Sequence, residues 1–140
     1  MLHLEHVNLV VKDIPATLKF YQAACPHWGV RASGSGDWYG KPRQWLHFGD
    51  DYQYLALSDN GEGLNRDLEG HQVGLAHFAF VTSNMDALIQ RLQDAGFAIA
   101  KDGADEPWRR NIYFIDPAGF EVEFVQYLSD VPNQRNHSQQ

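Results

Sequence analysis

Three side chains in this sequence have the types and placing to hold a metal ion. His6 opens the run His6-Val7-Asn8-Leu9-Val10-Val11, and His77 sits in Leu75-Ala76-His77-Phe78-Ala79-Phe80-Val81. Each run reads as a strand, in which successive side chains point to opposite faces. Val7, Leu9 and Val11 then share one face, and His6, Asn8 and Val10 the other. In the second run Phe78 and Phe80 oppose His77, Ala79 and Val81. Near the C-terminal end, Phe120, Val122 and Phe124 alternate with Glu121, Glu123 and Val125, which puts Glu123 on the less apolar face of another strand. Two imidazoles and one carboxylate can occupy one side of a metal's coordination sphere and leave positions open for water or substrate, as a Lewis-acid site requires. A lone strand histidine is more often a hydrogen-bonded structural group. Recurrence at matching positions in two similar strands is what marks His6 and His77 as a pair.

The elements that must carry these residues occur twice. After the first strand, Asp13 caps a helix that tolerates Pro15 in its first turn, carries Ile14, Leu18, Tyr21 and Cys25 at helical spacing, and stops at Pro26. Residues 30–33 read as a short strand and Gly34-Ser35-Gly36-Asp37 as a flexible turn or loop. QWLHFG and YQYLALS, separated by Gly49-Asp50-Asp51 (Gly49 closing the first run), form a hairpin. The polar, glycine-rich residues 59–74 read as a linker. The strand over 75–81 follows, then a helix opened by a capping box of Ser83 and Asp86, with Leu88, Ile89, Leu92 and Ala95 as its stripe and Gly96 as its end. Strands are expected at 97–100, 111–115 and 120–127, the last two joined by Asp116-Pro117-Ala118-Gly119 as a type I turn. The expected fold is therefore α+β, two βαβββ repeats forming an incomplete barrel around the metal site. One domain is expected over 1–128, with repeats at about 3–58 and 75–127 and a disordered polar tail at 129–140.

Composition narrows the function classes. Over 140 residues, 11 Lys and Arg against 18 Asp and Glu give a net charge of -7, so the chain lacks the basic footprint that nucleic acids or anionic membranes require. Cys25 is the single cysteine, which allows no internal disulfide and reads as a small hydrophobe. The start, MLHLEHVNLVVKD, has no basic leader followed by a long apolar region, and no apolar run reaches bilayer length. A cytoplasmic protein with a small-molecule partner is expected.

The motifs HVNLVVKD with Phe20-Tyr21 after it, GLAHFAFV, and YFIDPAGFEVEFV give the chain, over about residues 3 to 127, a pattern that resembles the vicinal oxygen chelate superfamily. That superfamily includes glyoxalase I, fosfomycin-resistance enzymes, extradiol dioxygenases, methylmalonyl-CoA epimerase and bleomycin-resistance proteins. The resemblance implies metal ligands from the first and fourth strands of each repeat, which here means His6, Ala56, His77 and Glu123. Ala56 departs from the glyoxalase I pattern, which has a carboxylate there, and so tells against that activity. The remaining His, His, Glu set is similar to those of extradiol dioxygenases and fosfomycin-modifying enzymes, and both groups place an active-site tyrosine where Tyr113 stands. Asn8 stands where the fosfomycin thiol transferases use a threonine, and Gln53 about where extradiol dioxygenases have an acid-base histidine. The resemblance further implies a divalent ion (Fe, Mn, Zn or Ni) and a homodimer.

Further residues qualify by position. His47 shares a face with Trp45 and could move a proton near neutral pH; a pocket-lining role fits its spacing equally well. Glu121 shares the face of Glu123 but reads as solvated near the strand end. Trp38, Tyr39, Trp45, Tyr54, Trp108 and Tyr113 offer an aromatic wall for a planar ligand, or separate core and dimer contacts. Arg109 and Arg110 are candidates for an anionic substrate, with surface solvation the commoner role. The leading reading is a metal-dependent enzyme of the glyoxalase/dioxygenase type, with chemistry like that of extradiol dioxygenases or that of a lyase or transferase. The competing reading is a metal-free protein that sequesters a drug or other ligand, as bleomycin-resistance proteins do.

Overall fold

The structure, a computed structural model, describes residues 1–137 and divides into two compact units, Met1–Leu64 and Asn65–Gln140. In the first, Asp13 fixes where the helix begins. Its carboxylate accepts from the Ala16 amide at 3.0 Å, satisfying one of the amide groups that a helix start leaves unpaired, and α1 runs Ile14–Ala24. The buried stripe of α1 is Thr17, Phe20, Tyr21 and Ala24, rotated from the expected one. Thr17 can be buried because its hydroxyl donates to the Asp13 carbonyl at 2.9 Å, and that rotation takes Phe20 fully into the core.

Four strands accompany α1: β1 His6–Val10, β2 Gly29–Trp38, β3 Lys41–Gly49 and β4 Tyr54–Ser58. Their order in the sheet is β1-β4-β3-β2. β1 runs parallel to β4, with His6 beside Tyr54 and Asn8 beside Ala56, and the other pairs are antiparallel. Leu9, Phe48, Leu55 and Leu57 are buried in this unit. The expected loop at residues 34–37 is instead part of β2, which pairs with β3 as far as Trp38 beside Lys41. The chain reverses one step later, at Tyr39 and Gly40, which both have positive φ (51° and 80°), as tight two-residue hairpin turns demand. Gly34 belongs in the strand because the Trp45 indole lies over it; a Cβ there would stand 2.8 Å from the ring.

The second unit repeats this order. β5 is Phe78–Val81, α2 Met85–Asp94, β6 Lys101–Asp102, β7 Arg109–Ile115 and β8 Glu121–Tyr127, and the sheet order β5-β8-β7-β6 reproduces the first. The expected βαβββ repeat is thus present in both units. Some boundaries differ. β5 begins at Phe78, leaving His77 just ahead of the strand. The cap of α2 is Asn84, which accepts from the Ala87 amide at 3.1 Å, rather than Ser83. Gln126 of β8 explains the choice: its side chain accepts from the Met85 amide at 2.9 Å and donates to the Ser83 carbonyl at 3.2 Å, which fixes the entry to the helix. No strand forms at 97–100, where one was expected; the two-residue β6 follows at Lys101–Asp102. The turn at Asp116 is as expected, with its carboxylate accepting from the amides of Ala118 and Phe120, each at 2.9 Å. Within the polar tail, Pro132–Arg135 form one helical turn, α3, and Arg135 lies over the Tyr127 ring at 4.1 Å; residues 138–140 of the tail lie outside the described residues. Among the described residues no helix is long and apolar enough to cross a membrane.

Candidate functional site

Alternation along β8 sends Val122 and Phe124 into the core and turns Glu123 to the opposite face. There His77 Nε2 lies 2.9 Å from Glu123 Oε2. The other carboxylate oxygen accepts from Asn111 Nδ2 at 3.2 Å. Tyr113, opposite Glu123 in the β7–β8 ladder, sets its ring edge-to-face with His77 at 5.4 Å between centroids. Burial, then the charge of Glu123, raises the Tyr113 phenol above its ordinary range, so it keeps its proton and can donate. Asn111 is 7% exposed, and Gly103 makes room for it: a Cβ at 103 would stand 1.8 Å from Asn111 Oδ1.

Glu121 corrects the sequence expectation. It is 9% exposed and lies 2.7 Å from the ammonium of Lys101, which also sits 4.5 Å from the Tyr113 ring centroid. The hydrogen bond to Glu121 raises the Lys101 pKa. The carboxylate is buried because β6 supplies a partner; strand periodicity alone could not reveal one. Arg110 is held by Asp86 at 2.6 Å, in keeping with a surface role.

In the first unit, His6 Nδ1 is 2.8 Å from Glu5 Oε1. With the proton on Nδ1 it donates to that carboxylate, an arrangement that orients an imidazole and presents Nε2 as a ligand. The His6 ring stacks on Tyr54 (4.5 Å, 7° between planes), Tyr54 on His47 (4.5 Å), and His47 meets Trp45 at 4.9 Å. Arg31 lies 4.6 Å from the Tyr54 ring centroid. Ala56, in β4, is buried and offers no donor. Burial, followed by the neighbouring His6, Arg31 and Arg43, lowers the pKa of His47. The sign for stability follows from that direction. Below pH ~6.5 the unfolded chain binds a proton at this residue that the folded chain refuses. Stability therefore rises as pH climbs from the folded value to the unfolded one, and His47 adds nothing above. His47→Gln is expected to flatten this part of the curve of unfolding midpoint against pH; an unchanged slope would show that His47 does not titrate in this way.

His77 and Glu123 have the chemistry and the spacing to share a divalent ion. Two ligands about 2.1 Å from one ion and at right angles stand about 3 Å apart, close to the His77–Glu123 spacing, and imidazole with carboxylate suits Fe, Mn, Zn or Ni. Among the described residues, no group of three or more His, Cys, Asp and Glu side chains is gathered as a metal site. Asn111, Glu5 and Lys101 were not singled out from the sequence. Alternation with Tyr113 could have found Asn111, and adjacency to His6 could have found Glu5; Lys101 carried no signal.

The sequence model of the Glyoxalase/Bleomycin resistance protein/Dioxygenase superfamily matches residues 3–124. The chain belongs to that superfamily. None of the curated proteins matches it by sequence. Among solved structures, a glyoxylase/bleomycin resistance protein/dioxygenase domain from Frankia sp. EAN1pec is 22% identical, with 98% of this chain and 99% of that one covered and a TM-score of 0.74. A mutant of the fosfomycin resistance protein FosX from Listeria monocytogenes, complexed with Mn(II) and a dihydroxypropylphosphonic acid, is 21% identical, with 98% and 99% covered and a TM-score of 0.71. TnmS3, an antibiotic binding protein from Streptomyces sp. CB03234, is 23% identical, with 91% and 97% covered and a TM-score of 0.63. These likenesses establish the shared fold. Superfamily membership accounts for the repeated βαβββ order, while the chemistry depends on the residues each member places on its sheets.

Proposed function

We propose that this protein is a metal-dependent small-molecule enzyme in which His6, His77 and Glu123 hold a divalent ion and the substrate presents two neighbouring oxygens. The observation that carries this reading is the 2.9 Å approach of His77 Nε2 to Glu123 Oε2, with Asn111 fixing the other carboxylate oxygen. The Mn(II) in the FosX structure supports it. A bound ion would supply Lewis-acid stabilisation of negative charge on the substrate. The chain's own groups do the rest. Tyr113 keeps its proton and donates a hydrogen bond to a substrate oxygen. Glu5 orients His6, and Asn111 orients Glu123. His47, neutral at physiological pH, takes up a proton. Iron favours extradiol-dioxygenase-like chemistry, and Mn, Zn or Ni a lyase, isomerase or transferase reaction. The protein works as a cytoplasmic homodimer, a reading supported by the superfamily resemblance and by the lone Cys25, which needs no oxidising compartment.

Mass-spectrometric metal analysis of untagged protein purified without chelator tests the reading. Stoichiometric metal is expected in the wild type and its loss in His6→Ala. Absence of metal after anaerobic reconstitution would overturn the assignment in favour of a ligand-sequestering protein. The ring stack on the first sheet and the antibiotic-binding description of TnmS3 favour that second reading.

A further inference from the structure

Three strands of the second unit place one residue each in a row across the sheet. Lys101 of β6 stands opposite Tyr113 of β7, and Tyr113 opposite Glu123 of β8, so the three side chains leave the sheet on one face, the one away from the buried Val122 and Phe124. Glu121, two residues before Glu123, shares that face. β6 is short, yet its backbone is tied on both sides of the row: the Ala100 amide donates to the Tyr113 carbonyl at 2.8 Å, and the Gly103 amide to the Asn111 carbonyl at 3.0 Å.

A lysine opposite a tyrosine can turn to solvent or cross the ring. Glu121 decides between the two. It stands opposite Ile115, two residues along β7 from Tyr113, so Lys101 reaches it only by crossing β7, and Tyr113 lies on that path. Nζ of Lys101 is accordingly 2.7 Å from Glu121 Oε1 and 4.5 Å from the Tyr113 ring centroid. Exposure shows which partner is the anchor: the side chain of Glu121 is 10% exposed and that of Lys101 59%. A carboxylate so far from water is costly unless paired, whereas the ammonium could hydrate freely elsewhere. Glu121 therefore keeps the ammonium at the ring, and their hydrogen bond holds it in its charged form. A cation in that place is attracted to the negative face of the ring. Tyr113 also meets His77 edge-to-face at 5.4 Å, so the ring is gripped by two groups.

We infer that Lys101 is a positioning residue: anchored by Glu121, its ammonium holds the Tyr113 ring against His77 and so sets the direction of the phenol hydroxyl before substrate arrives. The inference deepens the proposed function, on which the donor role of Tyr113 rests. It gives the Lys101–Glu121 pair a task beyond stability.

A ring-fluorinated tyrosine placed at position 113 of the full-length protein tests this by fluorine NMR, in chelator and below neutral pH, where the phenol stays protonated. A held ring gives separate lines for its two orientations, and a turning ring gives one averaged line. Separate lines are expected in the wild type and in Lys101→Arg, since a guanidinium also pairs with a carboxylate and stacks on a ring. One averaged line is expected in Lys101→Met and in Glu121→Gln. The double variant Lys101→Met/Glu121→Met separates positioning from stability. It removes the unpaired buried carboxylate that lowers the unfolding midpoint of Lys101→Met, so the midpoint should return to near the wild-type value, while the averaged line should remain. Separate lines in the double variant or in Glu121→Gln would overturn the inference, as would an averaged line in the wild type or in Lys101→Arg. Neither metal nor turnover enters these spectra, so a failure of the metal reading would leave them unchanged, and their failure would leave the metal content of the wild type unchanged.

Discussion

Glu123→Gln is expected to lower affinity for a divalent ion by more than a hundredfold and to abolish activity, while the fold survives. The amide keeps the shape of the side chain and its place beside Asn111 and His77, but it surrenders the negative charge that lets a carboxylate compete with water for a divalent ion. Asn111→Ala supplies the graded comparison. Its Nδ2 reaches Glu123 Oε1 at 3.2 Å, so its loss should cost what an orienting partner costs, about ten- to hundredfold in metal affinity. Because Asn111 Oδ1 is buried without a partner, removing the side chain also removes an unsatisfied group, and little stability should be lost. Competition titration with a fluorescent chelator reads both variants on one scale. Equal metal affinity in Glu123→Gln and wild type would remove Glu123 from the ligand set.

Much of this arrangement could be read from the chain, because strand alternation is a local rule. Once residues 120–127 are read as a strand, Phe124 and Glu123 must face opposite ways; β8 shows Phe124 fully buried and Glu123 on the other side. The same rule does not disclose who waits across the sheet. By periodicity Glu121 reads as a solvated end-of-strand carboxylate, yet Lys101 stands 2.7 Å from it, because β6 joins β7 through a ladder of two residue pairs that no periodicity marks. Glycine misled in one place for a physical reason. Gly34-Ser35-Gly36-Asp37 has the composition of a loop, yet both glycines lie in β2, Gly34 under the Trp45 indole and Gly36 beside open space. A glycine required for close approach and one required for a turn are alike in sequence and differ only in their cross-strand neighbours.

The two faces of β8 can be separated experimentally because their contributions are of different kinds. Phe124 is fully buried, stacked on Phe80 at 5.8 Å and edge-to-face with Phe114 at 6.0 Å. Phe124→Ala forfeits the transfer energy of the ring and leaves a cavity, since a close-packed interior relaxes only in part. A loss of about 3–5 kcal/mol is expected, with a fall in unfolding midpoint of about 10 °C or more. Urea denaturation should show a lower midpoint at an unchanged slope, the signature of altered stability with the same surface exposed on unfolding. Glu123→Gln, one residue away, should stay within about 1 kcal/mol of wild type in the same assay. If Phe124→Ala cost no more than Glu123→Gln, the aromatic cluster would not be the packed core that holds β8 in register, and the placing of Glu123 beside His77 would need another cause.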